Sequence, residues 1–328
     1  MGYKSILRSV GTVVRQAERE SIRRQKELVK RQIANSKMQE LEQAAYDVEV
    51  YENYIDRLTS LHKDCISNYN WHEIIKKKAP VEPEKKVKRE MESRLIVENY
   101  KPTFFDRIFK QEEKKRNKLL EILQKSIGDD KTEYEQLIDT YNVDLNEYNE
   151  LMNLANGINK GDISVYKKAI EEFEPLSEIS EIGSELGFKF STKDRINIVM
   201  TTHDSKIVPK EAKSLLKSGK LTIKELSIGK YNEIYQDYVC SSALRVAREI
   251  FGLLPVEEII VTSKSRILNK TTGKLEDQPI LSVRFVRETM NNINFSDIDP
   301  SDSMTNFVHN MGFKKSQGMS PVDELNFA

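Results

Sequence analysis

The chain has 328 residues, with 38% in the hydrophobic set and 32% charged, a length that holds an ordinary core and makes two structural parts the expectation. Two distant cysteines, Cys65 and Cys240, exclude a disulfide framework, and no apolar run is long enough for a transmembrane segment or a signal-peptide core, so a soluble cytoplasmic protein is expected. The net charge of zero hides blocks: residues 1–37 carry ten Lys/Arg against three Glu, 129–185 carry fifteen Asp/Glu against four Lys, and 189–220 return to eight basic against three acidic.

In chain order, residues 3 to about 63 read as one proline-free helix, and residues 1–75 as a basic coiled-coil arm. Its apolar stripe is thin up to Lys37 and strong from Met38 through Leu41, Ala45, Val48, Tyr51, Ile55, Leu58 and Leu61. A thin stripe cannot seat a helix in a core, so the first part either projects into solvent or pairs with a partner. Its cations Arg15, Arg19, Arg23, Arg24, Lys30 and Arg31 are the candidate contacts to DNA or RNA phosphates. His62, Cys65 and His72 have a spacing that zinc could use, but no fourth ligand stands near them. A structural turn anchored by Trp71 is the expectation, with no metal and no cofactor.

Residues 76–175 read as a linker and a helical hairpin packing on the arm. The stretch KKKAPVEPEKKVKRE holds Pro80 and Pro83 and forms the linker; Tyr100, Phe104, Phe105, Ile108 and Phe109 make an aromatic knot, read as a core staple that docks the helical part on the rest. Helical periodicity over 111–156 is interrupted at Gly128-Asp129-Asp130, which predicts two antiparallel helices ended by Gly157. Asp162 then caps a shorter helix that runs through Phe173.

Residues 176–328 read as a small α+β domain. Alternation around Phe188 and Phe190, then Ile196, Ile198 and Met200, predicts a hairpin. Pro209 opens a predicted helix closed by Gly219. Ile234, Tyr235, Tyr238, Val239, Ala243, Val246, Ala247, Ile250 and Phe251 then mark a helix with one broad buried face, stopped before Pro255. Two β-branched runs around Gly273 predict a second hairpin, whose Lys264, Arg266 and Arg284 would share a basic outer face. A last helix is expected from Pro300 through Met311.

Phosphate-loop, dinucleotide and zinc-protease motifs are missing from the sequence. The nearest metal-nuclease pattern is Asp194 or Asp204 followed by Glu211 and Lys213. That chemistry needs Glu and Lys on one face of a strand, whereas the predicted helix after Pro209 makes them diverge. Asp237, Arg245, Arg248 and Glu249 form a polar set on the central helix, read first as an internal ion network. Cys240 reads as a small core residue.

Through YENYI, SLHKDC, YKPTFFDRIF, LSEISEIGS, the central helix, TGKLEDQPILSVRF and DPSDSMTNFVH, the chain resembles a loose set of uncharacterised bacterial proteins. The resemblance implies a helical N-terminal half, an α+β C-terminal half and a bacterial cytoplasmic setting, with no activity. Together these readings give an α+β, predominantly α fold: a long N-terminal helical hairpin or coiled coil, then a small α+β domain with two β-hairpins. The expected function is non-catalytic binding or scaffolding, with self-association or a helical protein partner and a nucleic-acid-contacting arm. A metal-dependent nuclease or other nucleic-acid-processing enzyme is the alternative.

Overall fold

The computed structural model describes residues 40–65, 68–176, 185–269 and 271–327. In order these form α1 (Glu40–Thr59), α2 (Trp71–Ile74), α3 (Lys88–Glu98), α4 (Phe104–Ile108), α5 (Glu112–Lys160), α6 (Ile163–Phe173), β1 (Glu185–Thr192), β2 (Arg195–Thr201), β3 (Glu211–Leu215), β4 (Leu221–Glu225), α7 (Ile228–Leu253), β5 (Glu258–Asn269), β6 (Lys274–Val286), α8 (Arg287–Asn291), β7 (Val308–Lys314) and β8 (Gly318–Ser320). Single 3-10 turns lie at Leu61–Lys63, Ser205–Ile207 and Asp302–Asn306. The fold is α+β. The described residues divide into two compact units, 73–153 and 40–72 with 154–327, with the division falling inside α5.

In the helical unit, the expected break at Gly128-Asp129-Asp130 is absent and α5 runs on for 49 residues. Gly128 has open space around it, so nothing there depends on its missing side chain. Asp130 is almost fully buried because it serves a second helix. Its carboxylate accepts the Glu90 N–H of the first turn of α3 at 2.9 Å, where Val87 has no capping side chain. Arg89 reaches Glu133 at 2.7 Å and the Ser93 and Ser126 hydroxyls meet at 2.7 Å, so α3 lies antiparallel to α5. Gly157 does not end α5 either. It stands where a Cβ would come within 2.6 Å of Val165, and its bareness lets α6 pack there. The helix stops at Gly161, φ 75°, with Asp162 N–H bonded to Gly157 O and Gly161 N–H to Ile158 O. Asp162 then caps α6 through Ser164 N–H, as its position predicts.

The other unit is built around α7, which is buried along most of its length. Six strands run in the order β1-β2-β5-β6-β7-β8, with β2 and β5 parallel and the other neighbours antiparallel. Strand alternation sends Ile196, Ile198, Met200, Ile259, Val261, Leu281, Val283 and Phe285 to the side that faces α7, each nearly inaccessible. Pro279 falls at the register shift of the β5–β6 ladder, a place where a missing N–H costs no pairing. Arg287 closes the end of α7: its guanidinium donates to Val256 O, Phe251 O and Leu254 O and lies over the Phe251 ring. Trp71 Nε1 adds a bond to Leu253 O at 2.7 Å. Four orphan carbonyls at a helix end are thereby largely satisfied.

Two predicted helices are strands instead. Residues 211–225 form the β3–β4 hairpin, because Gly219 at φ 79° supplies the left-handed residue of a tight turn with Gly219 N–H on Leu216 O. The predicted 300–311 helix is reduced to the Asp302–Asn306 turn. Asp299 caps that turn through the Ser301 and Asp302 N–H groups. Phe307 then stacks edge-on against Phe285, and β7 pairs with the otherwise open edge of β6. Helix α1 packs against α7 and the β3–β4 hairpin. The part of the expected long helix before residue 40 lies outside the described residues.

Candidate functional site

The parallel strands β2 and β5 both deliver their carboxyl ends to one place, and there the chain holds the loop His203–Val208 with four tyrosines. Tyr54 donates to Ile207 O at 2.7 Å, Tyr231 to Ser205 O at 2.5 Å and Tyr235 to His203 O at 3.0 Å, while Tyr238 accepts from His203 N–H at 3.2 Å. Three of these come from α7 at positions 231, 235 and 238, one helical face. The periodicity of Tyr235 and Tyr238 is visible in the sequence; the hydroxyl contacts of all three are not. Burial pushes the phenols of Tyr235 and Tyr238 up, so both stay protonated across the neutral range.

Beside the loop is a cavity of about 530 Å³, lined by Asp204, Lys206, Asn232, Tyr235, Ser265, Gln317 and their neighbours. Tyr235 and Ser265 share a hydroxyl contact of 2.9 Å. Burial alone would raise the Asp204 carboxyl, but the backbone N–H and ammonium of Lys206 hold it below its usual range. The lining therefore offers amide and hydroxyl hydrogen bonds, the Asp204–Lys206 ion pair and the Arg266 guanidinium. It suits binding of a polar group.

A second polar cluster is buried between the Leu61–Lys63 turn and α7. His62 is buried, its Nδ1 lies 2.9 Å from Ser241 Oγ, and the same oxygen accepts the His62 N–H. Burial, with Lys63 and Arg248 adding, lowers its pKa to about 4, so the ring is neutral. Arg245 and Glu249 pair at 2.7 Å with both side chains about 5% exposed or less. Arg248 donates to His62 O and lies 4.0 Å over the Phe295 ring. Asp237 does not join this set. It sits towards Ser301 and Asp299, where burial raises its pKa to about 6 against the opposing pull of the Ser301 hydroxyl. Cys240 is fully buried with its Sγ 3.7 Å from Met311 Sδ, and burial drives its thiol pKa up.

Of the remaining sequence candidates, Glu211 and Lys213 lie on β3, two residues apart on one face of a strand, the arrangement that a helix there would have prevented. Glu225 stands directly opposite Glu211 on β4. Among the described residues no three His, Cys, Asp or Glu side chains gather closely enough to hold a metal ion, His62 with Cys65 and His72 included. Arg15, Arg19, Arg23, Arg24, Lys30 and Arg31 lie outside the described residues.

The helical unit presents a different kind of surface. Helix α3 turns Ser93 towards α5 and leaves Met91, Leu95 and Ile96 between 55% and 59% exposed. Phe104, Ile108 and Phe109 follow at 56% to 72%. The aromatic stretch read as a core staple therefore puts three of its rings and branches outside. Along α5, residues 112–127 carry five Lys/Arg against three Glu, and residues 128–150 carry eight Asp/Glu against one Lys.

No family model, curated protein or solved structure matches the chain. Function therefore rests on these surfaces. No described helix is long and apolar enough to cross a membrane.

Proposed function

We propose that this is a non-catalytic, cytoplasmic binding and scaffold protein that self-associates through its helical unit. The observation that carries the reading is the run of five large apolar side chains, Met91, Leu95, Ile96, Ile108 and Phe109, more than half exposed on α3, on α4 and in the turn after it. Soluble chains rarely leave such a cluster open unless something covers it. A second copy of this chain is the partner that fits. The basic first third of α5 and its acidic middle complement each other when two such helices run antiparallel. Light scattering of the purified protein is expected to give a dimer or higher assembly. Leu95→Glu together with Phe109→Glu should return it to the monomer with an unchanged helical circular dichroism spectrum. A strict monomer at high concentration, or a double variant that still assembles, rejects the reading.

The nuclease reading keeps one supporting observation, the placement of Glu211 and Lys213 on one face of β3. Incubation with Mg²⁺ or Mn²⁺ and DNA or RNA tests it: cleavage lost on Glu211→Gln establishes an enzyme, and no cleavage above buffer removes the reading.

A further inference from the structure

The side of the six-stranded sheet turned away from α7 has its own composition. Alternation places Asn197, Thr262, Lys264, Ser282, Arg284 and Asn310 there, polar or cationic positions on four successive strands, around the apolar Val199, Ile260 and Val308. This is the basic outer face that the sequence predicts for Lys264 and Arg284. It is not open.

Residues 321–327, PVDELNF, cross it as an extended strap. Val322 N–H donates to Pro279 O at 2.9 Å, and Asn310 Nδ2 donates to Asp323 O at 2.8 Å. Glu324 pairs with Lys264 at 2.8 Å, and Leu325 N–H donates to Ser282 Oγ at 3.0 Å. At the far side the Phe327 ring lies 5.5 Å from the guanidinium of Arg195, which itself pairs with Glu258. Val322, Leu325 and Phe327 are half-buried while Pro321, Asp323, Glu324 and Asn326 are exposed.

We infer that this sheet face is a groove for an extended peptide carrying a carboxylate between apolar residues, and that residues 321–327 are its displaceable internal occupant. Three features lead there. The fastening consists of single hydrogen bonds and one half-exposed ion pair, contacts that water or a competing peptide can replace. The strap uses its main-chain groups and one carboxylate, which any extended peptide of similar pattern can present. The face keeps buried polar atoms without a partner, Asn197 Oδ1 and Arg284 Nε. A strap whose only role was to close a core would satisfy or exclude such atoms. The charges also match: the strap carries Asp323 and Glu324, the face carries Lys264 and Arg284.

The test removes residues 321–328 and adds back a fluorescent synthetic peptide of sequence SPVDELNF. Saturable binding, read by anisotropy, is expected with the shortened chain and not with the full chain. Changing the peptide's glutamate to lysine, or Lys264→Glu in the chain, should weaken binding by at least about tenfold, and combining the two swaps should restore it. A shortened chain that keeps its circular dichroism and Trp71 emission but does not bind the peptide overturns the inference. So does tight binding of a single-stranded oligonucleotide that Lys264→Glu abolishes and the peptide cannot displace, because the face is then a polyanion site. If the shortened chain does not fold, hydrogen exchange on the full chain decides. The Val322 and Leu325 amides should exchange at least about a hundredfold faster than those in the middle of β5 and β6. Exchange as slow as that of the sheet makes the strap a fixed part of the fold and ends the proposal.

Discussion

Replacing Arg245 by Met isolates a buried ion pair of the α7 unit. The Arg245 guanidinium and Glu249 carboxylate meet at 2.7 Å with 5% and 4% of their side chains exposed, so neither is screened by solvent. Without the arginine, Glu249 loses its ion-pair partner in a site closed to water, and the Leu61 carbonyl loses a 3.5 Å donor. Breaking one half of such a pair costs about 3–5 kcal/mol, a large share of the ~5–15 kcal/mol that holds an ordinary fold. The double change Arg245→Met with Glu249→Leu removes both charges and should recover most of that loss. Trp71 is the single tryptophan, is buried, and bonds to Leu253 O at the end of the same helix. Its emission during urea unfolding therefore follows this unit and not the helical one. The expected pattern is a midpoint lowered strongly in Arg245→Met and nearly restored in the double variant, with an unchanged m-value. A single variant within about 1 kcal/mol of the parent, or a double variant as unstable as the single, refutes the reasoning.

The neutral His62, with a pKa near 4 in place of 6.5, makes the unfolded chain the better proton acceptor between those values. Stability should fall as pH drops from 6.5 towards 4 by up to about 3 kcal/mol, level off below, and become flatter in His62→Gln when followed by Trp71 emission. Asp237 acts with the opposite sign. Its pKa, raised from 3.8 to about 6, means the folded chain holds the extra proton, so its contribution declines as pH rises through that window, and Asp237→Asn should raise the neutral-pH midpoint. Tyr231→Phe removes the bond to Ser205 O and should cost about 1 kcal/mol while speeding amide exchange across His203–Val208; unchanged exchange shows that the other tyrosines suffice. Deleting residues 1–37 should abolish most salt-sensitive affinity for DNA or RNA, for which six phosphate contacts give a log–log slope of about −5; unchanged affinity makes that segment a spacer.

What the sequence determined by itself is local and periodic. The α7 stripe, the stop before Pro255, the β1–β2 and β5–β6 hairpins and the Asp162 cap all follow from spacing and from residues whose backbone preferences act within one turn. The polar cluster on α7 was legible as residue types: Arg245 and Glu249 at i, i+4 meet, as that spacing allows. Tertiary structure decided the rest. Asp130 looks like a helix breaker until α3 brings an uncapped N–H to it. Residues 211–225 carry a pattern that either a helix or a hairpin could use, and packing on α1 together with Gly219 selects the hairpin. Residues 308–314 are a strand because β6 has an unpaired edge, a condition no window of sequence contains. Phe104, Ile108 and Phe109 read as a core staple, yet they lie more than half exposed, because whether an apolar side chain is buried depends on what faces it across space. For the same reason the strap over Lys264 was invisible beforehand: its contacts join residues at unrelated separations, 13 positions for Asn310 with Asp323 and 43 for Ser282 with Leu325, through one carboxylate and single backbone groups, and such pairings leave no periodic trace.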